Sequence, residues 1–294
     1  MRSSTATWGS KSPKSLSGYA QGLVIALIAS LLVLVSAFAS DEPANASLDL
    51  TGTAFTTVSV GGAGSLALDT DGNLYAWGAK NNTNSPALVP TLVTFSDIAA
   101  GSGHSLGISS DGTLYSWGSD DYGKLGNGIA GSTLSPAAIS PGVTFSAIAA
   151  SNDHSLAISS DGTLYAWGKG GHYQLGNGNK VNQDSPVQVS VPAGVTFSAV
   201  AAGGNHSFAI SSDGTLYSWG SDDYGKLGNG NNSATTIPVS ISPEVTFSDI
   251  KTGQGNSAIA LSTGGTLYTW GQGNLGQLGN GNNSDTNIPV SISP

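Results

Sequence analysis

Short runs of alternating apolar and polar residues recur along the chain, and pairs of runs are joined by a tight turn. In residues 155–159 and 163–167, successive side chains alternate between two faces, as in a β-strand. Asp161 and Gly162 stand between these runs, and Asp-Gly predicts a type I′ hairpin turn with positive φ at both central residues. The pattern therefore predicts repeated β-hairpins. Equivalent turns begin at Asp71, Asp111, Asp213 and, with Gly-Gly, at Gly264.

The hairpins belong to a longer repeat. A Trp-Gly pair marks each unit, with spacings of 40, 50, 52 and 51 residues. Residues 108–128 and 210–230 are identical at all 21 positions, which indicates duplication of one unit. A period of this length is typical of solenoids, propellers and arrays. The marker tryptophans are Trp77, Trp117, Trp167, Trp219 and Trp270, and we interpret them as structural positions of the repeat.

Both faces of each predicted strand carry apolar residues. Tyr165 and Trp167 share one face, whereas Leu164 lies on the other. On the neighbouring strand, the small Ala157 lies opposite the bulky Leu156. Such a sheet fits a blade packed between two similar blades. One unit has too few large apolar side chains to offset the conformational entropy of ordering it, so the units need their neighbours.

Spaced motifs recur along the units in a fixed order. They are Gly-x-x-His-Ser, Ser-Asp-Gly-Thr-Leu-Tyr-x-Trp-Gly, Tyr-Gly-x-Leu-Gly-Asn-Gly and Pro-Val-x-Val. This string resembles the repeat of the regulator of chromosome condensation family over residues 55–294. The resemblance implies an all-β fold, a β-propeller with one four-stranded blade per repeat. A kelch propeller has a similar period, but the Gly-Gly pair that a kelch repeat places before its Tyr and Trp does not recur here. The five repeats span about 55–94, 95–144, 145–196, 197–246 and 247–294.

The first unit is short, and the repeat number differs from the seven blades usual in that family. Only 17 residues separate Trp77 from Phe95, against 27 or 29 elsewhere, and the Leu-Gly-Asn-Gly motif is missing. The sequence leaves open whether five units close a smaller ring, form an open arc or belong to a longer product. Residues 46–54 are a candidate closing strand that pairs with residues 289–293 and covers an open edge.

The first forty residues predict export. Residues 22–39 are uncharged and mostly apolar, follow three basic residues and precede Asp41 and Glu42. Ala37 and Ala39 have the spacing of a signal-peptidase site, so residues 1–39 are interpreted as a signal peptide. An uncleaved membrane anchor, which would begin with an N-terminal helix, is the alternative, because the run reaches the lower limit for spanning a bilayer. Either interpretation predicts a secreted or cell-surface propeller after a linker at 40–54.

Composition and charge remove several function classes. The chain lacks cysteine, which excludes disulfides, thiolate metal sites and cysteine nucleophiles. Six basic and 18 acidic residues follow residue 39, a net charge of −12 that disfavours nucleic acid and anionic membranes as partners. The sequence has no phosphate-binding loop, Gly-x-Ser-x-Gly elbow or His-Glu-x-x-His motif. We therefore predict a protein that is not an enzyme and holds no cofactor.

Candidate partner-binding residues lie in the loops after each Trp-Gly pair. These loops vary on a constant frame, as in a recognition surface, although solvated turns are the alternative. The candidates are Asp120, Asp121, Tyr122, His172, Tyr173, Asp222, Asp223, Tyr224 and Asn274. A second group, His104, His154 and His206, shares one repeat position, at which the first and fifth units have Gly64 and Asn256. Equivalent positions in separate blades lie too far apart for one metal ion, so we interpret these histidines as hydrogen-bonding residues.

The sequence thus predicts an exported module that binds a protein through loops at one rim of a propeller. The family resemblance also implies an alternative, guanine-nucleotide exchange. A carbohydrate-binding or carbohydrate-active propeller is the third hypothesis, because rows of Tyr, Asn and Asp side chains are suitable for binding sugars.

Overall fold

The computed structural model describes residues 50–79 and 81–292, which all lie in the second of two compact units, Ser47–Pro294. Twenty β-strands and two 3₁₀ helices, Asp121–Gly123 and Asp223–Gly225, are formed by these residues. The first ten strands are β1 Phe55–Val60, β2 Ser65–Asp69, β3 Leu74–Gly78, β4 Thr83–Leu88, β5 Phe95–Ala100, β6 His104–Ser109, β7 Leu114–Gly118, β8 Thr133–Ile139, β9 Phe145–Ala150 and β10 His154–Ser159. The others are β11 Leu164–Gly168, β12 Gln183–Gln188, β13 Phe197–Ala202, β14 His206–Ser211, β15 Leu216–Gly220, β16 Thr235–Ile241, β17 Phe247–Thr252, β18 Ser257–Ser262, β19 Leu267–Gly271 and β20 Thr286–Ile292.

The strands form five antiparallel sheets, each of four consecutive strands in chain order. We number these sheets blade 1 to blade 5. The first strands of successive blades contact one another, so they line the inner side of the arc and the fourth strands its outer side. In the three central blades these strands end in two alanines, such as Ala149 and Ala150 of β9, which permits this close approach. The predicted all-β fold with one four-stranded blade per repeat is confirmed.

The central hairpins differ from the predicted turn type. Gly162 has φ +84°, but Asp161 does not have a positive φ, so the type I′ prediction is wrong. The Gly162 amide donates to the Ser159 carbonyl, and the loop is a three-residue turn that ends in a left-handed glycine. The Asp161 carboxylate explains the difference, because it accepts hydrogen bonds from the Ser159 hydroxyl and the Thr163 amide. These bonds favour a conformation of Asp161 without positive φ.

The hydrophobic core is divided into four clusters, one at each junction between consecutive blades. At the junction of blades 2 and 3, Leu106 and Ile108 of β6 meet Phe145 and Trp167 of blade 3. Small residues at the centre of each aromatic surface make room for the Phe ring. A Cβ added to Gly107 would lie 2.8 Å from the Phe95 ring.

The described residues do not close the arc into a ring, because they form no core cluster between blades 5 and 1 and no sheet that combines strands from two blades. Of the candidate closing strand, residues 50–54 form a turn, in which the Thr53 amide donates to the Leu50 carbonyl, and no strand. Residues 46–49 and the export segment 1–39 lie outside the described residues. Within residues 50–79 and 81–292, no helix is long and apolar enough to cross a membrane.

Candidate functional site

The candidate binding residues lie at one end of the blades. In an antiparallel meander, the loops from first to second strand and from third to fourth strand emerge at the same end. We call the surface formed by these loops the loop face. Its longest segments are the loops between third and fourth strands, at residues 119–132, 169–182, 221–234 and 272–285, whereas blade 1 has only residues 79–82 there.

The two aspartates of each Asp-Asp-Tyr segment have different roles. Asp120 is turned inward, and its carboxylate accepts hydrogen bonds from the amides of Leu125 and Gly131. Asp121 is exposed and accepts from the Ser119 hydroxyl and the Lys124 ammonium. These hydrogen bonds, the Ser119 bond first, hold the pKa of Asp121 below its usual value. Asp121 is therefore the ionised group that this loop presents to solvent.

Tyr122 and Tyr224 present aromatic rings to solvent from strained backbone. Their φ angles are +66° and +64°, and about half of each side chain is exposed. The left-handed region costs a non-glycine residue roughly 1 to 2 kcal/mol, so neither burial nor backbone preference accounts for tyrosine here. The Lys169 ammonium of blade 3 lies 4.8 Å from the centre of the Tyr122 ring, a cation–π contact across the junction.

Tyr173 is not the structural equivalent of Tyr122 and Tyr224, because it lies one position further along its loop. The Gly176 amide donates to the Tyr173 carbonyl, just as the Gly126 amide donates to the Gly123 carbonyl. Tyr173 thus occupies a glycine position, which explains its φ of +65°. His172 is the exposed equivalent of Tyr122, and Asn274 is exposed on blade 5. Because Tyr173 immediately follows His172, all of these candidates still share the loop face.

Asp222 differs from Asp120 although the surrounding 21 residues are identical. Only 4% of Asp222 is exposed, and burial raises its pKa to about 6. The Leu227 amide donates to its Oδ1 atom, which only partly offsets the cost of burial. Asp120 instead receives a second amide, from Gly131, at a place where blade 4 has a different sequence.

We expect Asp222→Asn to stabilise the protein by about 1 kcal/mol at pH 8 and by much less at pH 5. A raised folded-state pKa favours the neutral acid, so stability is lost as pH rises towards and past 6. Asparagine keeps the Oδ1 acceptor and cannot ionise. Urea unfolding of both proteins at pH 5 and pH 8 measures the difference. Asp120→Asn is the matched control and should destabilise, because an amide group would then face the Gly131 N–H; equal effects would contradict the burial argument.

The three repeat histidines lie fully buried at the junctions between blades. His104 Nε2 lies 2.7 Å from the Ser155 hydroxyl of the next blade. Ser155 donates its only hydroxyl proton to the Lys124 carbonyl. In its contact with His104 the Ser155 oxygen is therefore the acceptor, and His104 Nε2–H is the donor. The Trp167 indole N–H donates to the same carbonyl at 2.9 Å. His, Ser, Trp and a loop carbonyl thus join blades 2 and 3.

The same network recurs at the junction of blades 3 and 4. His154 Nε2 contacts Ser207, which donates to the Gln174 carbonyl, and Trp219 donates to that carbonyl at 2.8 Å. At the last junction His206 contacts the Thr252 hydroxyl at 2.9 Å. The fifth-unit equivalent of the histidines is Ser257 and not Asn256, because Ser257 pairs with Gly271 as His206 pairs with Gly220. One extra residue in the preceding loop causes this shift.

The first glycine of each Leu-Gly-Asn-Gly motif at an internal junction lies against the tryptophan of the next blade, which leaves no space for a Cβ atom. A Cβ on Gly176 would lie 2.8 Å from the Trp219 indole nitrogen, and its φ is +65°. Blade 1 lacks this loop motif, and a cavity of about 50 Å³ lies beside Trp117. Within the described residues, no group of three or more His, Asp or Glu side chains is placed to hold a metal ion.

Fold and site define a repeat β-propeller with a variable loop face on a constant frame. A family model described as the RCC1-like domain matches residues 4–294, and the chain belongs to that family. Human E3 ubiquitin-protein ligase HERC2 is 34% identical over 87 residues, covering 29% of this chain and 2% of HERC2. Arabidopsis thaliana ultraviolet-B receptor UVR8 is 32% identical over 96 residues, covering 32% of this chain and 22% of UVR8. The chain therefore matches only a small part of these relatives.

Two solved structures resemble the fold over most of the chain. Human WBSCR16 superposes with a TM-score of 0.76 at 25% identity, covering 86% of this chain and 71% of that one. Saccharomyces cerevisiae Prp20p, whose binding to Gsp1p and histones is described with its structure, gives a TM-score of 0.74 at 25% identity. That match covers 83% of this chain and 64% of Prp20p. Both support the RCC1-type propeller fold.

Proposed function

We propose that this propeller is a non-enzymatic interaction module that binds a protein partner through its loop face. The observation that carries the proposal is the pair of exposed tyrosines, Tyr122 and Tyr224, held on left-handed backbone. Strained, exposed aromatic residues contribute little to folding, whereas tyrosine is enriched among residues that dominate binding energy. Prp20p, a structural neighbour whose binding of Gsp1p and histones is described, supports a protein as the class of partner.

The chemistry of the loop face favours a partner with basic side chains. Asp121 and Asp223 are exposed and ionised beside the tyrosine rings, and lysine already contacts one of these rings. Arg or Lys side chains of a partner would find carboxylates and ring faces together. The net charge of the whole chain, −9, attracts such a partner over a longer range.

Replacing Tyr122, Tyr173 and Tyr224 together by asparagine is expected to weaken partner binding at least tenfold. Asparagine tolerates left-handed backbone, so the rings are removed while the loops keep their conformation. Proteins captured by the wild-type chain are identified by cross-linking and mass spectrometry, and the affinity of each purified candidate is then measured for both proteins.

The matched control replaces Ala193 and Glu244, which are exposed at the opposite end of the blades, by asparagine. Equal affinities of the wild-type and triple-tyrosine proteins would exclude the loop face. Displacement of the partner by soluble polysaccharide would instead favour the carbohydrate alternative, and accelerated nucleotide release from a small GTPase would favour the exchange-factor alternative.

We propose an extracytoplasmic setting for this module, supported by the apolar run at residues 22–39 and the Ala-x-Ala pattern before Ser40. Cells expressing the full chain should release a protein whose N-terminal sequence begins at Ser40, or display on their surface a protein that retains residues 22–39 as an anchor. A cytosolic protein that retains residues 1–39 would contradict this setting. The loop-face experiment above does not depend on the outcome.

A further inference from the structure

Every blade has two different broad surfaces. The aliphatic face carries the large residues of the second strand and the leucine that begins the third strand, such as Leu156 and Leu164 in blade 3. The aromatic face carries the Phe, Tyr and Trp residues that recur in every repeat, such as Phe197 and Trp219 in blade 4. At all four junctions, the aliphatic face of one blade packs against the aromatic face of the next.

Among the described residues, no blade covers the two faces at the ends of the arc, although Tyr75 and Ala67 on the aromatic face of blade 1 are buried. On the aromatic face of blade 1, Phe55 is 39% exposed, whereas the equivalent Phe95 is 3% exposed. On the aliphatic face of blade 5, Ile259 and Leu267 are each 40% exposed, whereas Leu164, the equivalent of Leu267, is 2% exposed. Each end therefore exposes one half of the junction that the chain builds four times internally.

The polar groups of the junction are also present at both ends. In blade 5, Gln277 corresponds to Gln174, whose carbonyl accepts hydrogen bonds from a Ser and a Trp of the following blade. Blade 1 offers that pair as Ser65 and Trp77, which face each other in register. Gly279 keeps the left-handed φ of +65°, yet a Cβ there would meet only Ile292, at 4.0 Å. The space that an indole fills above each internal loop glycine is thus open above Gly279.

We propose that the occupant of these two faces is a second copy of this chain, docked head to tail. The aliphatic face of blade 5 in one copy packs on the aromatic face of blade 1 in another. Trp77 of one copy then lies over Gly279 of the other and donates to the Gln277 carbonyl. The interface is heterologous, since it joins two different surfaces, so copies add in one direction and form a chain or a closed ring.

The experiment uses the full chain and two variants, each blocked at one end. Val58→Glu with Val60→Glu places charges on blade 1, where these side chains are 75% and 78% exposed; Ile259→Asp with Leu267→Asp does so on blade 5. Analytical ultracentrifugation should show that the wild-type mass increases with concentration, while each variant alone is a monomer. An equimolar mixture should form a species of two copies and nothing larger, because one intact face of each kind remains.

Assembly of either variant alone to the wild-type mass would overturn the proposal, as would a wild-type monomer at all concentrations or a mixture that stays monomeric. Circular dichroism verifies that the variants fold. If a charged variant does not fold, a second measurement tests the same interface. The chain has no cysteine, so Val58→Cys and Ile259→Cys in separate copies give a thiol cross-link only if the two end faces meet. The expected product is a dimer from the mixture and none between identical copies.

Discussion

Lowering the pH from 7 to 5 is expected to destabilise the propeller by about 4 kcal/mol through His154 and His206. Both side chains are fully buried, and burial lowers the pKa of each from 6.5 to about 3. The charge of Lys226 lowers the pKa of His206 further, whereas Asp153 partly opposes the shift of His154. Both rings are therefore neutral in the folded protein at pH 5.

The direction of the effect follows from proton binding. Between pH 6.5 and about 3, the histidines bind protons in the unfolded chain but not in the folded chain. Their contribution to the free energy of unfolding is therefore fully present above pH 6.5 and is lost as the pH falls. At pH 5 each histidine contributes roughly 2 kcal/mol to this loss. Asp222 acts in the opposite direction, because its raised pKa restores about 1 kcal/mol over the same interval. The net loss is about 3 kcal/mol.

Urea unfolding followed by tryptophan fluorescence at pH 7 and pH 5 measures this loss. The His154→Gln/His206→Gln variant is expected to be less stable than wild type at pH 7, since its junction hydrogen bonds are altered, but to gain about 1 kcal/mol at pH 5, because Asp222 still titrates. Asp222→Asn should show the steepest loss, because the opposing group is gone. Equal pH dependence of the wild-type and double-histidine proteins would exclude the two buried rings as its source.

The parts of the fold that follow from local pattern were predictable from the sequence. Alternation around Asp161-Gly162 indicates a hairpin, and the recurrence of Trp-Gly indicates stacked units. The turn type was not predictable from the dipeptide, because the Asp161 carboxylate competes for the Thr163 amide. The register of Tyr173 could have been predicted, because aligning the Leu-Gly-Asn-Gly motifs at 125–128 and 175–178 places Tyr173 opposite Gly123, in agreement with the hydrogen bond from Gly176.

The junction network could not be predicted, since each of its members depends on residues far away in sequence. His104 and Ser155 are 51 residues apart, and the carbonyl that joins Ser155 to Trp167 belongs to Lys124, whose side chain carries no signal of this role. Identical sequences even acquire different properties, as Asp120 and Asp222 do, because the residues that surround them come from different loops. The repeated sequence therefore determines the fold of each blade, whereas contacts with neighbouring loops and blades determine the hydrogen bonds and burial of its polar side chains.

If the neighbouring blade provides most of the stabilisation, the same substitution should have very different effects at the end and in the middle of the arc. Trp219→Ala removes a fully buried indole and its hydrogen bond to the Gln174 carbonyl. We expect it to cost about 3 to 5 kcal/mol of unfolding free energy. Trp77 occupies the same repeat position on the partly exposed face of blade 1 and is half-buried. Trp77→Ala should therefore cost less, about 1 to 2 kcal/mol.

The two variants are best compared by urea unfolding at a protein concentration low enough for the wild-type chain to be a monomer. Above the concentration at which copies associate, Trp77→Ala should become more costly, because Trp77 is then covered by blade 5 of another copy, while the cost of Trp219→Ala should not change. Equal costs for both variants in the monomer would show that a tryptophan contributes through its own blade. In that case stacking between blades would not explain how a chain without cysteine, built of short strands joined by turns, maintains its fold.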